Sequence, residues 1–216
     1  MNYSKLIIVV SHVPVFASVI YALIIYKQLQ HELKVFFWFL FLTGILQFVS
    51  LLLWTKSINN MPLLHVYVIV SFVSLAWYYN SLMKDFIHRY VIIIAAGLFC
   101  LLSLLNSLFV QPVFSFNSYA LTLESALLII LSLSAYILLL KKIVAEKKKG
   151  EIKSLNWINS GVFIYYSSTL LIFYFGDLIT HSYSRSFNRY TWVLHSFLSI
   201  VMYTCFIIGL WKRQAK

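Results

Sequence analysis

Seven apolar runs, each about 20 residues long and separated by short polar stretches, organise the chain. They are Leu6 to Tyr26, Val35 to Trp54, Pro62 to Met83, Tyr90 to Val110, Ser118 to Leu140, Trp157 to Thr180 and Tyr190 to Trp211. Wound as an α-helix at about 1.5 Å per residue, a run of that length crosses a hydrocarbon core about 30 Å thick. None of the runs alternates polar and apolar residues as a barrel strand does, and an isolated strand would leave its backbone unpaired in lipid. The pattern predicts an all-α fold: a polytopic membrane protein, residues 1–216 forming one seven-transmembrane-helix bundle. Leu6 to Tyr26 is too long for the core of a signal peptide and has no small-residue cleavage site after it, so it counts as a span.

Composition agrees with a lipid-solvated chain. With 62% hydrophobic and 11% charged residues, too few polar side chains remain to cover a water-facing surface. The formal charge of +11 would suit nucleic acid, but the basic residues fall in the connectors, where membrane topology accounts for them and no nucleic-acid partner is needed. Lys5, Lys56, Arg185 and Arg189 lie on one side of the predicted bundle, and the other 13 of the 17 Lys and Arg residues lie on the opposite side. The positive-inside bias then places the N-terminus outside and the C-terminus in the cytoplasm. Trp54 and Trp192 fall at the outer interface of this arrangement, Trp157 and Trp211 at the inner one. The longest connector, Lys141 to Asn156, is strongly basic and fixes topology or meets anionic headgroups. Cys100 and Cys205 sit in mid-run as small apolar residues, not as a disulfide framework.

The informative residues are those that lipid disfavours. Glu124 lies about 9 Å along the fifth run, where a carboxylate costs about 2.5–3.5 kcal/mol even on lenient insertion scales and so calls for a protein-facing partner. His12, His65 and His195 lie at comparable depth or shallower on other runs, Asn106 lies near the outer end of the fourth, and Asp177 and His181 share a face four residues apart. All seven fall in the outer half of the predicted bundle. Three readings fit this one-sidedness. In the first, the groups simply hold helices together. In the second, they line a pocket open to the outside for a small polar or cationic ligand. In the third, His12, His65, His195 and Glu124 hold zinc with an open coordination position. The third would make the protein an intramembrane hydrolase of the ceramidase-like type, although the paired HxxxH spacing of those enzymes is missing. Retinal is excluded as a cofactor because no lysine occurs between Lys153 and Lys212 to form its Schiff base. Only three prolines occur and no paired broken helices, which disfavours a small-solute transporter. Aromatic residues make up 18% of the chain; Trp77, Tyr78, Tyr79, Tyr165 and Tyr166 are expected in the core, with Asn80 and Asn159 as hydroxyl partners.

The stretch Ala120-Leu-Thr-Leu-Glu-Ser-Ala-Leu-Leu-Ile-Ile-Leu-Ser-Leu, followed by Trp157-Ile-Asn-Ser-Gly-Val-Phe-Ile-Tyr-Tyr-Ser, resembles a group of uncharacterised bacterial seven-helix membrane proteins encoded beside two-component sensor kinases and response regulators. The resemblance implies a sensory module of the bacterial inner membrane with a sensor kinase or similar signalling protein as partner. It also implies Glu124, Ser125, Asn159 and Tyr166 as recurrent polar positions. The expectation formed from the sequence is therefore a non-enzymatic, receptor-like membrane protein.

Overall fold

A computed structural model describes residues 3–144 and 149–213, the side chains of 3–5, 8, 149, 151 and 181 excepted. Its helices are α1 (Tyr3–Ile24), α2 (His31–Thr55), α3 (Met61–Leu82), α4 (Arg89–Leu105), α5 (Ser118–Val144), α6 (Lys149–Tyr174), α7 (Gly176–Ser182) and α8 (Arg185–Lys212), and no strand occurs among the described residues. Local chemistry sets several ends. Pro62 sits in the first turn of α3, where its missing N–H leaves no bond unmade. The Ser184 hydroxyl accepts the Phe187 N–H at 3.2 Å to cap α8, and Lys141 and Lys142 meet the negative end of α5. α4 runs on through a π-helical turn, Asn106–Val110.

Among the described residues, five helices are long and apolar enough to cross a membrane: α2, α3, α4 with its π turn, α5 and α8. α1 contains a shorter apolar stretch, Val9–Ile24. The molecule is thus an all-helical bundle of the kind that lipid solvates. α6 is more polar, carrying Asn156, Asn159, Ser160, Ser167, Ser168 and Thr169.

The sixth predicted run, Trp157 to Thr180, is not one helix. α6 begins earlier, at Lys149, and stops at Tyr174; α7 restarts at Gly176. The break has a packing cause. A Cβ on Gly176 would collide with the Phe116 ring, so only glycine lets this ring of the α4–α5 connector press against the chain here. The basic connector is correspondingly shorter than Lys141 to Asn156, since helix covers both of its ends; 145–148 lie outside the described residues.

The helices α1, α2, α3, α5, α6 and α8 pack neighbour to neighbour into a closed ring, and α4 leans on α3 and α5 from outside. α4 is correspondingly the least buried of the five apolar helices. One end of the ring gathers the 56–60 and 106–117 connectors with α7: Asn59 Nδ2 donates to the Phe114 carbonyl at 3.2 Å, and the Asp177 N–H donates to Ser118 Oγ at 3.0 Å. The other end gathers the α1–α2 turn and the end of α8, where Arg213 Nη2 donates to Gln28 Oε1 at 2.9 Å.

That second end is densely filled. Phe36 stacks edge-on against Phe206 with centroids 5.0 Å apart and lies 5.3 Å from Tyr78, all three fully buried. Small residues let α6 and α8 approach closely. Ser154 Oγ donates to the Gly209 carbonyl at 2.6 Å, and a Cβ on Gly209 would fall 2.7 Å from Ile158 Cγ1. Asn159 is completely buried and satisfied on both sides: the Tyr79 hydroxyl donates to its Oδ1 at 2.9 Å, and its Nδ2 donates to the Ser132 carbonyl at 3.0 Å. Asn159 thus ties α3, α5 and α6 together. Asn80, expected to serve a tyrosine in the same way, has its Oδ1 buried without a partner. Trp77 departs from its expected core position as well, being 51% exposed, while Tyr78 and Tyr79 are buried.

Candidate functional site

At the first end the ring encloses a cavity of about 520 Å³. Glu124 from α5, Tyr165, Tyr166 and Phe173 from α6, Trp192, His195 and Ser199 from α8, Tyr67 from α3, Gln47 from α2 and Ser11 and His12 from α1 all line it. The volume falls within the range of small-molecule sites, about 300–1,000 Å³. Polar groups converging from several helices at this depth are costly unless something satisfies them.

Glu124 is 1% exposed. The Tyr166 hydroxyl donates to its Oε1 at 3.2 Å. Ser71 Oγ lies 3.1 Å from Tyr166 Oη and also bonds the Glu124 carboxyl. A hydrogen-bonded chain of Ser71, Tyr166 and Glu124 thus crosses α3, α6 and α5, in which Glu124 Oε2 is buried with no hydrogen-bond partner.

His195 Nε2 shares a hydrogen bond of 2.8 Å with the Tyr165 hydroxyl. Rings continue from there around the wall. Tyr166 lies edge-on to Tyr165 with centroids 5.0 Å apart, Phe173 is 5.6 Å and Trp192 5.7 Å from His195, and Phe116 is 5.2 Å from Trp192. Gln47 Nε2 reaches Tyr203 Oη at 3.5 Å below the cavity.

The structure brings together three of the residues expected to form the site, Glu124, His12 and His195, and separates the others. His65 is buried but does not line the cavity. Its Nε2–H donates to the Ser115 carbonyl at 3.2 Å, and its Nδ1 lies 2.7 Å from Ser107 Oγ, a hydroxyl that also reaches the Ser103 carbonyl at 2.9 Å. His65 thus anchors the π turn and the connector after it. Asn106 serves the same segment, donating through Nδ2 to Gln111 Oε1 at 3.1 Å and Asn117 Oδ1 at 2.9 Å. Asp177 starts α7 and does not line the cavity; the side chain of His181 lies outside the described residues.

The zinc ligands His12, His65, His195 and Glu124 do not assemble, because His65 is turned into the connector. Among the described residues no group of three or more His, Cys, Asp or Glu side chains could hold a metal ion.

Sequence reasoning missed Gln47, Tyr67 and Ser71 and gave Tyr165 and Tyr166 to core packing. A signal existed for the first three: Gln47 is a lone amide in an apolar run, and Tyr67 and Ser71, four residues apart, share a helix face. No protein-family model, curated protein or solved structure matches the chain.

Proposed function

We propose that the chain is a receptor-like protein of a bacterial inner membrane, with seven spans, the N-terminus outside and the C-terminus in the cytoplasm. Its cavity binds a small ligand arriving from outside, and the occupied state is passed to a partner such as a sensor kinase at the basic end of the bundle. The observation that carries this reading is Glu124: a carboxylate that lines a cavity of ligand size while one of its oxygens has no partner in the protein. Asn159, which ties helices together and does not line the cavity, is satisfied on both sides. The orientation is supported by the asymmetry of Lys and Arg between the two ends. α6 and α8 join the cavity to the basic end, where Lys153 and Lys212 lie, and so offer a continuous route between ligand and partner.

Thiol accessibility in intact spheroplasts tests the reading. In a Cys100→Ala, Cys205→Ala background, Ser199→Cys on the cavity wall and Asn59→Cys at the cavity end are expected to react with a membrane-impermeant thiol reagent from outside. Asp85→Cys at the opposite end is expected to react only after lysis. Reversal of that pattern overturns the orientation, and a Ser199→Cys thiol inert from both sides overturns the open cavity.

A further inference from the structure

Resting on that reading, we infer that the cavity is built for an organic ammonium ion: a protonated or quaternary amine carrying an apolar body. The charge inventory comes first. Glu124 is the one acidic residue on the cavity wall among the described residues, and no lysine or arginine is there to pair with it. Tyr166 satisfies Oε1 alone, and Oε2 is left over. An ionised carboxylate in lipid surroundings needs an opposite charge; the only basic side chains on the described wall are the imidazoles of His12 and His195, and neither is a permanent cation. An anionic ligand would face the same carboxylate with no cationic side chain to offset it.

The lining then separates one kind of cation from another. Tyr166, Tyr165, Phe173, His195, Trp192 and Phe116 form an unbroken sequence of neighbouring rings around the wall. Ring faces attract cations that lack tight hydration shells, and aromatic cages are the usual setting for ammonium groups with alkyl substituents. A bare inorganic cation would leave most of a cavity of about 520 Å³ unfilled, and among the described residues no three acidic, imidazole or thiol side chains are grouped to hold it. His195 is engaged through Nε2 by the Tyr165 hydroxyl at 2.8 Å. An ammonium group at Glu124 with its apolar body along the rings matches both halves of the wall.

The test compares reagents of opposite charge at one place. In the cysteine-free background, Ser199→Cys in nanodiscs of zwitterionic lipid is treated with trimethylammonium-ethyl methanethiosulfonate and with sulfonatoethyl methanethiosulfonate, and Asn59→Cys serves as the exposed reference. The ratio of cation to anion rates is expected to be at least about tenfold higher for Ser199→Cys than for Asn59→Cys, and adding Glu124→Gln is expected to remove most of that excess. Benzyltrimethylammonium should protect the cavity thiol, whereas benzenesulfonate should not. An equal ratio at both positions, a ratio that Glu124→Gln leaves unchanged, or protection by the sulfonate overturns the ammonium assignment while leaving an open binding cavity. A cavity thiol that reacts with neither reagent overturns the cavity itself. Ser196→Cys, on the same wall, repeats the measurement if Ser199→Cys does not fold.

Discussion

The two ends of this bundle are built from the same kinds of residue and use them differently. Around Phe36, Tyr78 and Phe206 the rings pack directly on one another, with centroids 5.0 and 5.3 Å apart, and Asn159 uses both sides of its amide on neighbouring helices. Around Glu124 neighbouring rings come as close to one another but line a cavity of about 520 Å³, and one carboxyl oxygen has no partner. The Tyr78 hydroxyl also lacks a partner, but it sits inside close ring packing, where nothing further can enter. Burial of polar groups therefore does not mark a site in this protein. Glu124 differs in that the residue also lines a cavity.

The largest effect expected from this contrast is in packing. In water Phe→Ala in a core costs about 3–5 kcal/mol, but lipid is as apolar as the core, so the transfer part of that cost is lost and about 2 kcal/mol of packing remains. Phe206→Ala should therefore lower the thermal midpoint of the detergent-solubilised protein clearly more than Phe173→Ala, whose ring borders open space on one side. Equal losses at the two positions would mean that the cavity end is as tightly packed as the other and that the contrast is false.

A smaller effect is expected at Asn159. Hydrogen bonds between helices in membranes are worth about 0.6 kcal/mol on average and at most about 1.7. Asn159→Leu breaks two, freeing the Tyr79 hydroxyl and the Ser132 carbonyl, so about 1–2 kcal/mol should be lost while the thiol of Ser199→Cys reacts as before. Loss of that reactivity would make Asn159 part of the cavity's support instead of a tie at the far end.

The contrast is partly legible in the sequence. Apolar run length identifies the five helices long and apolar enough to cross a membrane, because lipid imposes a minimum length and leaves few alternatives to an α-helix; it does not carry the break in the sixth run. Glu124 stands out for the same reason, as a charge where charges are expensive. What the runs do not carry is rotation about each helix axis. His65 and Tyr67 are two residues apart on α3, yet Tyr67 lines the cavity and His65 turns to Ser107 and Ser115. Depth alone would group His65 with Glu124; only the partner helices decide its direction. The break at Phe175 is hidden similarly, because Gly176 is ordinary in an apolar run until Phe116, some 60 residues away in sequence, is packed against it.

The smallest stability effect is expected at the residue that matters most to the cavity. Glu124→Gln keeps a carbonyl oxygen for the Tyr166 hydroxyl and removes a carboxyl group whose second oxygen the bundle leaves without a partner, so the Ser71–Tyr166 chain persists. Replacing a poorly compensated buried charge by a neutral group of the same shape is often neutral or stabilising. The thermal midpoint should therefore stay at or above that of the parent, even as the preference of the cavity thiol for cationic reagents falls. The pairing of the two results is the informative part, since a helix-gluing glutamate and a ligand-binding one differ in the first measurement and not only in the second. If Glu124→Gln costs as much as Asn159→Leu, Glu124 is holding helices together as Asn159 does, and the two ends of the bundle differ in packing alone.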